Sequence, residues 1–169
     1  MGELVRQLLD LSRAENAEAS MEQVDLSRIV TGEELAFETF AFDHRKTIQS
    51  DIEEGVHLTG NPTQLTQVVS ILLDNAIRHA ADQEISMTLK RHGHEAVLTL
   101  INDGDAIPPD KLEHLFDRFY RLDEARTDDG HHYGLGLAIA KAITEKHGGS
   151  ITGSCHDGKV QFSVSIPIK

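Results

Sequence analysis

The sequence is short of cysteine, of basic residues and of long apolar runs, and each shortage excludes a class of protein. Cys155 is the only cysteine among 169 residues, which rules out an internal disulfide and fits a reducing compartment. Sixteen basic residues stand against 28 acidic ones, and a surface with a net charge of -12 would repel nucleic acid and anionic lipid. There is no apolar run of about 18 residues and no signal-peptide pattern, so the sequence predicts neither a membrane span nor secretion.

Apolar periodicity predicts alternating helices and strand pairs. Helical spacing of apolar residues is found in four segments, and alternating spacing is found in strands that follow one another in pairs. The predicted helices cover 3–18, 25–42, 61–80 and 134–147, and the predicted strands cover 46–52, 55–60, two segments of 84–102, 150–155 and 160–168. Such an order predicts an α+β fold, a two-layer sandwich with a mixed, mostly antiparallel sheet and helices on one face. The 32 residues 102–133 have little regular pattern, and a connection of that length is usually a binding segment or a lid.

The third predicted helix carries polar side chains at the edge of its apolar stripe. Asn75 lies three residues after Leu72 and seven after Val68, so the three side chains share one side of the helix. A buried amide there needs a partner, which is either a neighbouring loop or a ligand. Arg78 and His79 follow one turn later, so all three polar residues can address one ligand.

The segment "LINDGDAIPP" (100–109) runs from an apolar strand into a turn. Asn102 offers a carbonyl and an amide to a planar heterocycle, Gly104 permits close approach of the backbone, and Ile107 supplies an apolar wall. The same residue types also form ordinary turns, so the segment alone does not decide between a turn and a binding site.

Two glycines open the last predicted helix in "YGLGLAIAK" (133–141). Each costs about 0.5–1 kcal/mol relative to alanine inside a helix. One explanation is that Gly134 and Gly136 let a phosphate approach the free N–H groups of the helix start. The other is that the segment is only a loop that enters a helix.

Taken in order, these segments resemble the ATP-binding catalytic domain of bacterial sensor histidine kinases, in the superfamily that includes gyrase, MutL and the heat-shock chaperone ATPases. "QVVSILLDNAIRHA" resembles the asparagine box of that family, and "NDGDAIPP" resembles its first glycine box. "LFDRFYRLDEAR" resembles the phenylalanine box, "GHHYGLGLAIAK" the second glycine box, and "HGGSITGSCHDGKVQFSVSIP" the closing hairpin. The resemblance covers nearly the whole chain and implies a Bergerat-type fold.

The resemblance also implies a role for each matched residue. Asn75 would ligate a Mg²⁺ ion that bridges the phosphates of ATP, and Asn102 would face the amino group of adenine. Arg121 and Arg126 would reach the γ-phosphate and act with Asn75 in catalysis. The remaining implied contacts lie beside the phosphates (Arg78, His79), around the base (Gly104, Ala106, Ile107) and at the helix start (Tyr133, Gly134, Leu135, Gly136, Leu137).

Three positions depart from the family pattern. Asn102 stands where the family often has Asp, so the predicted adenine contact is neutral and its amide can flip. Ala106 replaces a usual glycine, which predicts a tighter base pocket. Ile71, four residues before Asn75, stands where the kinases commonly have Asn and the ATPase relatives have Glu. Isoleucine cannot act as a general base, which argues against a productive ATPase.

None of the ten histidines lies in the family's acceptor setting, His-Glu/Asp-x-x-x-Pro. The segment "ELVRQLLDLSRAEN" resembles the end of the second helix of the family's dimerisation hairpin. We therefore expect residues 1–19 to be the end of that helix and residues 20–169 to be the catalytic ATP-binding domain. Such a chain binds nucleotide but does not phosphorylate itself.

The function that the resemblance implies is that of a protein-histidine kinase domain of a two-component system. It would transfer the γ-phosphate of Mg-ATP to a histidine on a separate helix, and the parent protein would act with a response regulator. The alternatives are a nucleotide-binding regulatory module with little kinase activity and a stand-alone ATPase of the same superfamily. The resemblance also implies a cytoplasmic domain whose parent protein is anchored in the cell membrane.

Overall fold

A computed structural model describes residues 2–16, 20–104, 107–120 and 134–168. The elements are α1 (Gly2–Asn16), β1 (Glu22–Asp25), α2 (Leu26–Ala36), α3 (Glu38–Asp43), β2 (Thr47–Ile52), β3 (His57–Gly60), α4 (Pro62–His79), β4 (Glu84–His92), β5 (Glu95–Asp103), α5 (Pro109–Leu112), α6 (Gly136–Lys146), β6 (Ser150–His156) and β7 (Lys159–Pro167). No helix in these ranges is both long and apolar enough to cross a membrane.

The main sheet has five strands in the order β2-β4-β5-β7-β6. Its neighbours are antiparallel except for β2 and β4, which are parallel. Apolar residues alternate along the strands, so Ala96, Leu98 and Leu100 of β5 are buried on the face that α4 and α6 cover. The predicted two-layer α+β sandwich with a mixed sheet is confirmed.

The two early strands, predicted at 46–52 and 55–60, follow each other along the chain but do not pair with each other. β3 pairs antiparallel with β1 in a separate two-stranded sheet, whereas β2 joins the main sheet next to β4. Residues 22–24 of β1 lie between the first two predicted helices, where the sequence predicts neither a helix nor a strand. Val24 is its one buried residue, so the strand carries almost no alternation signal. Such short strands form because of the strands that they pair with, and the order of apolar residues within one strand does not show its partner.

The helix predicted over 25–42 is interrupted at Phe37. Phe37 has φ and ψ of -92° and 0°, so it ends α2 and α3 starts at the next residue. Its ring packs edge-to-face on Phe40, with ring centroids 6.0 Å apart. The apolar spacing continues through the interruption, which explains why the sequence indicates one helix.

α4 is the helix whose start the sequence defines best. The side chain of Asn61 accepts a hydrogen bond from the backbone N–H of Gln64 at 2.9 Å, and Pro62 occupies the first turn. The buried stripe of α4 includes Leu65, Val68 and Leu72, as its spacing predicts. α4 connects β3 to β4 and passes over the sheet beside α6.

His147 connects the C-terminal end of α6 to the start of α4. Its Nδ1–H donates to the carbonyl of Ile143 at 2.8 Å, and its Nε2 accepts from the backbone N–H of Asn61 at 3.0 Å. Gly60 makes room for the ring, because a Cβ built on Gly60 would lie 2.9 Å from Cδ2 of His147. The two bonds require the neutral ring with its proton on Nδ1. We call this arrangement the His147 joint.

α1 packs along α6, with Leu11 and Ala14 buried. Near the end of α1, Glu15 forms an ion pair with Arg118, which follows α5. The division of the chain after residue 19 stays a prediction, and residues 17–19 lie outside the described ranges.

Candidate nucleotide-binding site

Two helices bring the first predicted phosphate residues together. Asn75 is half-buried on α4, and Ile71 lies one turn before it. A Cβ built on Gly136, the first residue of α6, would be 3.5 Å from Cγ2 of Ile71. No other atom of the described residues would lie within 4 Å of that Cβ, apart from chain neighbours and the backbone of α6. The start of α6 therefore faces the turn of α4 that precedes Asn75.

The first turn of α6 has no side-chain cap. Leu135 occupies the N-cap position, and its side chain makes no capping hydrogen bond. The side chain of Leu135 is fully buried and that of Leu137 is partly buried against the core, so both residues face inward. What this turn offers to a ligand is therefore its backbone N–H groups.

The end of α4 meets the turn that follows β5. The backbone N–H of Ala81 donates to the carbonyl of Asp103 at 2.7 Å. A Cβ built on Gly104 would lie 3.3 Å from Cγ2 of Val160 and 3.8 Å from the carbonyl oxygen of His79. Asn102 and Gly104 thus lie beside the C-terminal end of the helix that carries Asn75.

The turn after β5 is held by the hairpin of β6 and β7. The N–H of Gly104 donates to the carbonyl of Gly158 at 3.0 Å, and the N–H of Ile107 donates to Sγ of Cys155 at 3.4 Å. Neither contact is visible in the sequence, because each joins segments about 50 residues apart. Cys155 is therefore part of the support for the predicted base pocket.

Arg78 makes two local contacts that its predicted role beside the phosphates does not include. Its Nε donates to both carboxylate oxygens of Asp74, at 3.1 and 3.3 Å. Its guanidinium carbon lies 4.9 Å from the centre of the Phe40 ring, in a cation–π contact. The i,i+4 spacing of Asp74 and Arg78 is a readable signal for the ion pair, whereas the contact with Phe40 depends on how α3 packs.

Gly134 has a structural reason to be glycine that involves no ligand. Its φ is +75°, and a Cβ there would lie 2.7 Å from the carbonyl carbon of Phe119. The N–H of Phe119 donates to the carbonyl of Gly134 at 2.9 Å, so the backbone on either side of residues 120–133 meets at this point. Phe119 itself has a φ of +65°, which is strained for a residue with a side chain. We call this contact the Phe119–Gly134 clamp.

Two charged pairs lie on segments that also carry predicted site residues, one at the end of β5 and one after α5. Nζ of Lys159 donates to Asp103 at 2.8 Å, and this bond lowers the pKa of Asp103 and raises the pKa of Lys159. His114, after α5, is hydrogen-bonded to Asp117 at 2.7 Å, which raises the pKa of His114. All four side chains are partly or fully exposed, so these pairs are screened by solvent.

Four predicted site residues lie outside the described ranges, namely Ala106, Arg121, Arg126 and Tyr133. The roles implied for them stay predictions. The remaining site residues fall on three segments: Asn75, Arg78 and His79 on α4; Asn102, Gly104 and Ile107 at and after the end of β5; Gly134, Leu135, Gly136 and Leu137 at and before the start of α6.

Comparison with known proteins identifies the family. The model of the histidine kinase-, DNA gyrase B-, and HSP90-like ATPase family matches residues 60–169. Sensor protein DltS of Streptococcus agalactiae is 34% identical over 168 residues, which are 98% of this chain and 42% of DltS. Sensor histidine kinase RppB of Synechocystis sp. is 36% identical over 173 residues, covering 99% of this chain and 38% of RppB. The chain thus spans about two fifths of the length of these curated relatives.

Solved structures support the fold. The histidine kinase AdeS of Acinetobacter baumannii superposes with a TM-score of 0.82 at 24% identity, over 99% of this chain and 78% of that one. The histidine kinase ThkA, in complex with the response regulator protein TrrA, has a TM-score of 0.81 at 20% identity, over 99% of this chain and 47% of that one. The resemblance to sensor kinases is confirmed, and this chain belongs to the histidine kinase-, DNA gyrase B-, and HSP90-like ATPase family.

Proposed function

We propose that this chain is the ATP-binding catalytic domain of a sensor histidine kinase and transfers the γ-phosphate of ATP to a histidine supplied by another segment. The main observation behind the proposal is the start of α6. Its first turn has no side-chain cap, and the side of Gly136 that the described residues leave open lies next to Ile71, one turn before Asn75 on α4. Backbone N–H groups and the positive end of a helix dipole attract phosphate there.

Asn75 is the residue of α4 suited to a magnesium ion. The described residues contain no group of three His, Cys, Asp or Glu side chains that could hold a metal ion by themselves. Magnesium bound with ATP needs only one or two oxygen ligands from the protein, since phosphates and water supply the others. One amide oxygen from Asn75 fits that requirement, and the ion, when bound, neutralises phosphate charge.

The position of Ile71 favours transfer over hydrolysis. Its Cγ2 is 3.5 Å from the Cβ position of Gly136, so an aliphatic group borders the proposed phosphate site. A water molecule there finds no general base on Ile71, whereas an imidazole acceptor is itself the nucleophile. A stand-alone ATPase is therefore disfavoured, and a nucleotide-binding regulatory module without transfer is the remaining second candidate.

The partners proposed for the parent protein follow its relatives. DltS and RppB are named as sensor proteins, and the ThkA structure contains a response regulator. We expect the parent protein to be anchored in the cell membrane with this domain in the cytoplasm, where it contacts ATP, the helices that carry the acceptor histidine and a response regulator. The net charge of -12 argues against nucleic acid as a partner.

Calorimetry with Mg-ATP tests the proposal. We expect the unmodified chain to bind Mg-ATP and Asn75→Ala to lose most of the magnesium-dependent affinity while remaining folded. Thr63→Ala is the matched control, because Thr63 is exposed in the first turn of α4, about 18 Å along the helix from Asn75. Absence of binding by the unmodified chain at millimolar Mg-ATP overturns the proposal. Equal affinities of Asn75→Ala and the control overturn the role of Asn75.

A further inference from the structure

Asn102 is one of three buried polar residues among those that the structure describes, with Ser27 and Thr144. Its side chain is 4% exposed and lies on the inner face of the sheet, where Ile85 and Val160 are its neighbours on the adjacent strands. The hydroxyls of Ser27 and Thr144 bond to backbone groups nearby. Asn102 differs from them because, within the described residues, its side chain makes a single hydrogen bond.

One end of the Asn102 amide is bound and the other is open. Nδ2 donates to the backbone carbonyl of Asp103 at 3.1 Å, but no donor in the described ranges reaches Oδ1. A Cβ on Gly104 would approach Nδ2 to 3.5 Å, so glycine leaves space beside the amide. Because Oδ1 is not among the fully buried, unpaired side-chain atoms of the described residues, it can be reached by a ligand with a polar edge.

We infer that Asn102 makes the base site permissive, so that it accepts purine nucleotides with either an amino or an oxo group at position 6. The inference rests on the proposed function and concerns the base that this nucleotide site selects. As placed, Oδ1 accepts from a 6-amino group. After a half-turn of the amide, Nδ2–H donates to a 6-oxo group. A carboxylate in the same place has only acceptors and would repel the oxo group.

Rotating the Asn102 amide by a half-turn costs little free energy, because the backbone group that it leaves keeps another hydrogen bond. It gives up the bond from Nδ2 to the carbonyl of Asp103 and turns Oδ1 toward that carbonyl. The carbonyl keeps the N–H of Ala81 at 2.7 Å, so no buried acceptor is left unpaired. A neutral bond of this kind is worth about 2- to 10-fold in an equilibrium constant. We therefore expect inosine triphosphate to bind about 5- to 50-fold more weakly than ATP, since oxygen–oxygen repulsion adds to the lost bond.

Calorimetry with Mg-ATP and Mg-inosine triphosphate on the unmodified chain, Asn102→Asp and Asn102→Ala tests the inference. The two nucleotides differ only at position 6 of the purine and the adjoining ring nitrogen. We expect Asn102→Asp to increase the ratio of ATP affinity to inosine triphosphate affinity at least about tenfold, mainly because its affinity for inosine triphosphate falls. Asn102→Ala should weaken both nucleotides and bring the ratio toward one.

The outcomes separate this inference from the proposed function. If the unmodified chain binds ATP but binds inosine triphosphate more than about 100-fold more weakly, the inference is wrong and ATP binding stands. An unchanged ratio in a folded Asn102→Asp variant also overturns it. If the buried carboxylate prevents that variant from folding, the ratio in the unmodified chain decides alone. Binding of neither nucleotide overturns the proposed function itself.

Discussion

At Gly134 the backbone has a φ of +75°, and a Cβ would come within 2.7 Å of the backbone of Phe119. At Gly136, two residues later, a Cβ would meet Ile71 at 3.5 Å, an ordinary van der Waals distance. The first glycine is thus required by the protein itself, whereas the second has a side that the described residues leave open. The Gly-Leu-Gly pattern does not distinguish the two reasons, because Phe119 lies 15 residues before Gly134.

Single alanine substitutions separate the two glycines. We expect Gly134→Ala to lower the free energy of unfolding by about 1–3 kcal/mol through strain and the clash with Phe119. Gly136→Ala should leave stability unchanged or raise it by up to about 1 kcal/mol, while it weakens Mg-ATP binding. Urea unfolding without nucleotide and calorimetry with Mg-ATP measure the two effects. Full nucleotide affinity in Gly136→Ala would show that phosphate does not need bare backbone there.

At the scale of helices, the His147 joint fixes the end of α6 to the start of α4. We expect His147→Phe, which keeps a ring but removes both ring nitrogens, to lower the free energy of unfolding by about 1–3 kcal/mol. The loss arises because the backbone N–H of Asn61 is left without its acceptor. His156→Phe is the control, since the His156 side chain is 89% exposed, and its change should stay within about 0.5 kcal/mol. Equal urea midpoints for the two variants would contradict a stabilising joint.

The elements that the sequence predicts best are those with local signals. α4 has a capping asparagine, an early proline and a clear apolar stripe, and all three are present in the structure. The pairing of β2 with β4 and of β3 with β1 could not be predicted, because alternation shows which face of a strand is buried and not which strand lies beside it. The candidate site shows the same difference between local and distant signals. Local motifs indicate the site residues, whereas Cys155 and Phe40, which contact them, come from distant segments.

At the scale of the whole molecule, the chain offers a nucleotide site without an acceptor histidine in the family's setting. We therefore expect no acid-labile phosphate on the chain after incubation with radiolabelled Mg-ATP. Addition of a separate helical hairpin that contains His-Glu-x-x-x-Pro should give labelled hairpin, with almost no steady release of phosphate. Stoichiometric acid-labile label on the chain alone would contradict the first expectation. ATP binding without any transfer to the hairpin would favour the regulatory module.

The Phe119–Gly134 clamp also indicates a position at which foreign sequence can be inserted into this chain. Phe119 and Gly134 are hydrogen-bonded to each other, so the two ends of any insert between them start close together. Lengthening a closed span costs only about 0.6 kcal/mol for each doubling. A fluorescent reporter or an affinity epitope inserted between residues 120 and 134 should therefore leave α6 and the sheet assembled, which offers a practical route to following the domain in solution.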